Sequence, residues 1–180
     1  MRIGKTIQTL ALAGILSAAP GFAAAAGSQG TPSTTVLQTQ VRQALNKLAW
    51  YGVFDNLNYN VDDKGNVTLS GQVTRYVTHN DAVNVVKRLA GVTSVTDNIE
   101  VLPLSNFDDN IRIRAYNAIY GYPALSRYEV QARPPIRIIV NHGDVTLAGY
   151  VANEMDRELV YNRIRALPGT FKITNDLKLD

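Results

Sequence analysis

The fold is decided by a nine-residue stretch that occurs twice in the chain. Residues 65–73 read GNVTLSGQV and residues 143–151 read GDVTLAGYV, with six identical positions. The spacing of 78 residues holds to the C-terminal end, so that Leu89 matches Leu167. Upstream of the stretch the spacing falls to 70, which places eight extra residues of the second copy within 122–137. Two copies of one structural unit are therefore expected.

The sequence of each unit predicts the order helix, strand, strand, helix, strand. Apolar residues at helical spacing come first, then residues that alternate between apolar and polar, then a second helix and a last strand. Gly65 and Gly143 are expected in hairpin turns, and Gly91 and Gly169 at helix ends. This order packs two helices on one face of a three-stranded mixed sheet. The prediction is an α+β protein of two tandem α-β-β-α-β domains, at 36–103 and 107–180.

The N-terminal residues have the pattern of a secretory signal peptide. Arg2 and Lys5 precede a short apolar run, and small alanines follow it, so we expect cleavage at the end of residues 1–26. A membrane-spanning helix is the alternative, but Gly, Ser and Pro interrupt the run before it reaches about 20 residues. Residues 27–35 are expected to form a flexible linker. The sequence thus predicts an exported, periplasmic protein.

The pattern of each unit resembles the BON domain, which is found in osmotically inducible periplasmic proteins of Gram-negative bacteria. The resemblance is carried by the strand at 65–73, a helix that closes on Gly91, and the strand at 95–101. The second copy repeats these features, although Thr170 replaces the usual Val after the glycine. The resemblance implies a non-catalytic protein that binds phospholipid membranes or envelope proteins, with a role in osmotic or envelope stress.

The composition excludes several kinds of chemistry. The chain has no Cys and only two His, so disulfides, thiol nucleophiles and His-rich zinc sites are excluded. His79 and His142 are both expected to be exposed. The acidic pairs at 62–63 and 108–109 are interpreted as solvated turn and cap residues. Since no nucleotide-binding or nucleophile motif occurs, we expect no enzyme activity, no metal and no cofactor.

The charge balance also argues against a nucleic-acid partner. The sequence pI is 9.2, but without Arg2 and Lys5 the chain has 16 basic and 15 acidic residues. A nearly neutral exported protein has no general attraction for a polyanion.

A candidate binding surface lies in the first part of the second unit. Between residues 111 and 137 there are five arginines and only one acidic residue, together with four tyrosines. Arg and Tyr are both suited to lipid headgroup regions and to protein interfaces. An ordinary solvated face with core tyrosines is the alternative. The candidate residues are Arg112, Ile113, Tyr116, Tyr120, Arg127 and Arg133.

Helical geometry sharpens this prediction. At 100° per residue, Ile113, Tyr116 and Tyr120 lie opposite the core face marked by Ile111 and Ala115. We therefore predict an exposed apolar stripe beside Arg112. Alternatively, these side chains pack under the eight-residue insertion or against the first unit.

Two functions are favoured, and a third, a purely structural stress protein or an unsuspected hydrolase, stays open. The first is reversible docking onto anionic phospholipid surfaces through arginine charges and a few apolar side chains. The second is a protein–protein interaction module for envelope partners that does not bind lipid.

Overall fold

A computed structural model describes residues 33–131 and 133–180, so the predicted signal peptide and most of the predicted linker lie outside the described residues. The predicted tandem α+β fold is confirmed. The first domain consists of α1 (Thr34–Asn46), β1 (Asn56–Val61), β2 (Asn66–Val73), α2 (Tyr76–Lys87) and β3 (Ser94–Val101). The second consists of α3 (Asn106–Tyr120), a 3₁₀ helix (Ser126–Tyr128), β4 (Ile136–Asn141), β5 (Asp144–Val151), α4 (Glu154–Arg165) and β6 (Lys172–Leu179).

The two sheets have the same topology. The strand orders are β1-β2-β3 and β4-β5-β6, and in each sheet the first pair is antiparallel and the second pair parallel. A parallel pair needs a crossover connection, which α2 and α4 supply. Leu69 and Leu147 occupy the same position in the two central strands, and both are fully buried. The repeat found in the sequence is therefore structural.

The glycines of the two hairpins lie where they were predicted, and the other two do not. Gly65 and Gly143 have positive φ angles of 80° and 84° in the β1–β2 and β4–β5 turns. Gly91 and Gly169 also have positive φ, but α2 already ends at Lys87 and α4 at Arg165. The helix ends were therefore predicted wrongly, because a short turn separates each helix from its glycine.

The insertion predicted for the second copy lies between α3 and β4. It turns after Tyr120, forms the 3₁₀ helix and returns to the sheet. Leu125 and Tyr128 point into the core of the second domain and are 0% and 4% exposed. The insertion therefore adds a layer of apolar side chains over one side of α3.

A segment of the first domain reaches the second domain. Residues 51–55 belong to the connection between α1 and β1, and the Val53 carbonyl accepts a hydrogen bond of 2.8 Å from the Ile138 amide of the edge strand β4. Val53 and Phe54 pack against the core of the second domain. The outer strand β4 is thus partly covered by the neighbouring domain.

Candidate functional site

The structure divides the six candidate residues instead of bringing them together. Arg112 is only 4% exposed. Its guanidinium donates to the Val140 carbonyl at 2.6 Å and to the Asp109 carboxylate at 2.5 Å. Arg112 therefore fastens α3 to the end of β4, and the expectation that it lies on a solvent-facing surface is wrong.

Tyr120 is also buried, at 1% exposed, so the prediction that it belongs to an exposed stripe is wrong. Its hydroxyl donates to the Ile136 carbonyl at 2.7 Å, and burial raises the pKa of the hydroxyl. The physical reason is the insertion, since Leu125 and Tyr128 belong to the same buried cluster. One of the alternatives from the sequence, packing under the inserted residues, holds for Tyr120.

Tyr116 illustrates the other alternative, packing against the first domain. Its ring meets the edge of the Phe54 ring, with 6.3 Å between centroids. Its hydroxyl donates to the Glu129 carboxylate at 3.0 Å. Partial burial, and secondarily Glu129, raise the pKa of Tyr116. Tyr116 is thus a half-buried interface residue between the domains.

Arg127 and Arg133 are engaged within the protein. Arg127 pairs with the buried Asp156 carboxylate, which also accepts the Tyr128 hydroxyl. Arg133 donates to the Tyr51 carbonyl at 3.2 Å and lies over the Tyr51 ring. These arginines hold the insertion and the first domain in place. Of the candidate stripe, only Ile113 is clearly exposed, at 58%.

A different surface combines apolar and basic side chains at one end of the second domain. Phe107 at the start of α3 and Phe171 before β6 are 46% and 75% exposed. Their rings stack with centroids 5.9 Å apart and an interplanar angle of 25°. We call this end, with the neighbouring basic residues Arg114 and Lys172, the aromatic end.

The β4–β5 turn is the floor of the aromatic end. A Cβ atom on Gly143 would lie 2.6 Å from the Phe171 ring and 3.2 Å from the Phe107 ring. Glycine therefore permits both rings to rest on the turn. The Phe171 amide also donates to the Gly143 carbonyl at 3.0 Å, so the exposed rings stand on a hydrogen-bonded base.

A buried carboxylate holds the same turn from inside. Asp108 is 0% exposed and accepts hydrogen bonds from the amides of His142 at 3.0 Å and Gly143 at 2.8 Å. The expectation that this aspartate is solvated is wrong. Its carboxylate instead accepts hydrogen bonds from the backbone of a turn 34 residues away in sequence. Asp62 does lie in a solvated turn, as expected, where it accepts from Lys64 and Asn66.

Basic groups lie beside the aromatic end, although the exposed Asp144 is the register partner of Lys172 in the sheet. Arg114 lies close enough that a Cβ on Gly169 would be 3.7 Å from its guanidinium. Lys172 follows Phe171 directly and is exposed, as is His142 in the turn. Rings with cations beside them suit a boundary between apolar and aqueous phases. The repeat alignment carried one signal for this surface: Phe171 replaces the polar Thr93 of the first copy.

The two histidines have different surroundings. His79 is not exposed as expected: its side chain is 17% exposed, and its Nε2 lies 2.9 Å from Asp97. Within residues 33–131 and 133–180, no three His, Asp or Glu side chains converge on a possible metal site. The described helices include none that is long and apolar enough to cross a bilayer.

Taken together, these features define a protein of two tandem α-β-β-α-β domains whose prominent surfaces are apolar and basic. Residues 33–103 and 124–180 match the BON domain, and the chain belongs to the BON domain family. Proteins of this family belong to the cell envelope and are generally non-catalytic, which indicates an envelope-associated protein.

Two solved structures resemble the chain weakly. Both are of CdsD, a structural protein of the type III secretion system of Chlamydia trachomatis, and one is described as its C-terminal domain. The C-terminal domain is 15% identical over 80% of this chain and 97% of its own, with a TM-score of 0.29. The other is 12% identical over 81% and 92%, with a TM-score of 0.28. TM-scores this low carry no inference about function. No curated protein matches the chain.

Proposed function

We propose that this protein is exported to the periplasm and docks reversibly onto anionic phospholipid surfaces through the aromatic end of its second domain. The single observation that carries the proposal is the exposed, stacked pair of Phe107 and Phe171. Two adjacent exposed phenylalanines are costly in water, and exposed apolar patches with polar rims mark interaction sites. A role in osmotic or envelope stress rests on the family resemblance.

The energetics favour a weak and reversible contact. Complete burial of one phenylalanine is worth about 1.5–3 kcal/mol, and the pair has only part of its surface free to bury. A lysine or arginine close to an anionic surface adds about 1 kcal/mol. The rings therefore supply the insertion, while Arg114 and Lys172 supply the preference for negative lipid.

The arrangement of the aromatic end supports insertion without unfolding. The rings project from the start of α3 and from the residue before β6, and both rest on the β4–β5 turn. Asp108 and the Gly143 carbonyl fix these pieces to one another. A preorganised patch loses little conformational freedom on docking.

Cosedimentation tests the proposal. Residues 27–180, which contain both hydrophobic cores, are mixed with phosphatidylcholine vesicles with or without phosphatidylglycerol at low and physiological salt. We expect binding to anionic vesicles that weakens as salt rises. Changing Phe107→Ser together with Phe171→Thr should weaken it at least tenfold without unfolding the protein.

A matched variant separates specific from general effects. Tyr76 is 66% exposed on the first domain, so Tyr76→Ser removes a comparable aromatic group elsewhere and should leave binding unchanged. Binding that persists in the double variant would overturn the role of the aromatic end. Failure of the unaltered protein to bind any vesicle would favour the alternative, a module for envelope protein partners.

A further inference from the structure

A groove lies where the linker between the domains passes over α3. Its volume is about 380 Å³, within the range of pockets that hold small molecules. We call it the junction groove, and the lining residues that matter are Phe54, Arg75, Leu104, Asp109, Arg112 and Ile113. None of its side chains belongs to the aromatic end, so the groove needs its own explanation.

One wall of the junction groove is apolar and open to solvent. Leu104 in the linker is 96% exposed and Ile113 on α3 is 58% exposed. Phe54 adds a half-buried ring. A nearly bare leucine and an exposed isoleucine give the groove a lining suited to an aliphatic chain.

The polar wall carries two guanidinium groups, those of Arg75 and Arg112. The Arg112 side chain is about 95% buried, and its Nε has no hydrogen-bond partner among the described residues, although its other two nitrogens are bonded. A buried donor without a partner is costly. Arg75 is exposed and makes no ion pair in the described part of the chain. Its guanidinium lies 4.8 Å from the centroid of the Trp50 ring.

The nearby acidic groups leave part of this positive charge uncompensated. Asp109 pairs with one nitrogen of Arg112. Asp55 is buried behind Thr74 and accepts three hydrogen bonds, from the Gly52 amide and from the Thr74 amide and hydroxyl. Two guanidinium groups against one lining carboxylate favour an anionic ligand, and a carboxylate matches their planar donors.

We propose that the junction groove binds one molecule of a fatty-acid-type anion. The carboxylate pairs with Arg75 beside the Arg112 guanidinium, and the aliphatic chain lies along Leu104 and Ile113. This site goes beyond docking on a membrane surface, because it holds a single amphiphile between the domains. It does not depend on the aromatic end.

The chain carries its own reporter for this site. Trp50 is the only tryptophan, and it lies under Arg75. Dodecanoate below its micelle concentration should change the Trp50 emission with saturation, and calorimetric titration should give the same affinity. Dodecyltrimethylammonium, which keeps the chain and reverses the charge, should bind at least tenfold more weakly. Butyrate, which keeps the carboxylate and shortens the chain, should also bind at least tenfold more weakly than dodecanoate.

Exposed side chains allow variants that keep the fold. Arg75→Gln and Leu104→Ser should each weaken dodecanoate binding at least tenfold by calorimetry. Arg42→Gln and Leu179→Ser are matched controls, because both residues are exposed and lie outside the groove; neither should change the affinity. Equal affinity in all four variants, or equal binding of the cationic amphiphile, would overturn the proposal.

The vesicle-docking proposal and the junction-groove proposal can be refuted independently of each other. Arg75→Gln and Leu104→Ser should leave vesicle binding intact, and the double change at Phe107 and Phe171 should leave dodecanoate binding intact. Loss of dodecanoate binding in the phenylalanine variant would show that the aromatic end is the amphiphile site, and would refute the junction groove.

Discussion

The corresponding ends of the two domains share a backbone and differ in chemistry. In the first domain Thr93 follows the turn after α2; its amide donates to the Gly65 carbonyl and its hydroxyl to the Lys64 carbonyl. In the second domain the Phe171 amide makes the equivalent hydrogen bond, to the Gly143 carbonyl, and a phenyl ring stands in place of the threonine hydroxyl. The hydrogen-bonded frame of the BON fold thus tolerates either a polar or an apolar end, and the side chains decide what that end can contact.

The segments in which α1 and α3 end or are followed by a turn differ in a similar way. Tyr120 and Trp50 occupy matching positions at a spacing of 70 residues. Tyr120 is 1% exposed and Trp50 is 55% exposed. The insertion covers this side of α3, and no equivalent segment among the described residues covers the end of α1. The same position of the repeat therefore lies in the core of one domain and at the surface of the other.

The largest expected effect is on stability, and it tests the difference in burial between Tyr120 and Trp50. Tyr120→Ser should lower the free energy of unfolding by about 3–5 kcal/mol, as for other large aromatic residues cut back in a core. Trp50→Ser should change it much less, because the indole is mostly in water. Urea denaturation of both variants measures the contrast. Similar losses in the two variants would mean that the insertion does not bury Tyr120.

The two hairpin turns give the next largest contrast. Asp108→Asn removes one of two acceptors facing the amides of His142 and Gly143, and should cost about 1.5–3 kcal/mol because the carboxylate is buried. Asp62→Asn in the exposed turn of the first domain should cost less. Urea denaturation at neutral pH compares the two, and a larger loss for Asp62→Asn would contradict the assignment.

The Asp62 turn also predicts a pH dependence. The hydrogen bonds from Asn66 hold the pKa of the Asp62 carboxyl below its ordinary value of 3.8. A lowered pKa in the folded state contributes stability above the ordinary value, and this is lost as the pH falls through the lowered one. The loss of unfolding free energy caused by Asp62→Asn should therefore be smallest at the acid end of the pH range. Urea denaturation of both proteins over a pH series measures it.

Exchanging the residues at the two ends sharpens the main comparison. Phe171→Thr copies the first domain and should weaken binding to anionic vesicles about tenfold, which corresponds to about 1.4 kcal/mol. Thr93→Phe should strengthen binding only about twofold to threefold, because Leu37, which matches Phe107, is buried and cannot complete a pair. Cosedimentation measures both. A gain from Thr93→Phe as large as the loss from Phe171→Thr would show that a single exposed ring is sufficient.

The last contrast concerns charge. Lys172→Gln should weaken anionic vesicle binding about threefold to fivefold at low salt, in line with about 1 kcal/mol for one cation near the surface. The difference should shrink at physiological salt. Lys87→Gln on the first domain is the matched control, and an equal effect of both changes would indicate only a response to net charge.

The fold could be predicted from the sequence because its signals are local. Alternating residues in the repeated stretch and the turn glycines determine the hairpins, and the repeat tests each assignment twice. Tyr120 and Arg112 could not be placed this way. Their partners, Ile136 and Val140, lie 16 and 28 residues further along the chain, and helical periodicity does not record them.

The candidate site was predictable only in part. The replacement of Thr93 by Phe171 is visible in the repeat alignment. The exposure of Phe107 is not, because its match Leu37 belongs to the core. The dense arginines of 111–137 pointed to a surface, but Arg133 and Arg137 mainly hold the segment at Tyr51 and Gly52. The composition shows that positive charge is concentrated in this segment. Only the tertiary structure shows which groups the arginine side chains contact.

Insertion of the aromatic end into a bilayer can be measured directly with a relocated tryptophan. In a Trp50→Phe background, Phe171→Trp places the single indole at the aromatic end, and vesicles containing phosphatidylglycerol and brominated lipid are added. We predict a blue shift and strong quenching of the emission of this relocated indole, and little quenching of Trp50 in the unaltered protein. An unquenched indole at position 171 on vesicles that bind the protein would contradict docking through this end.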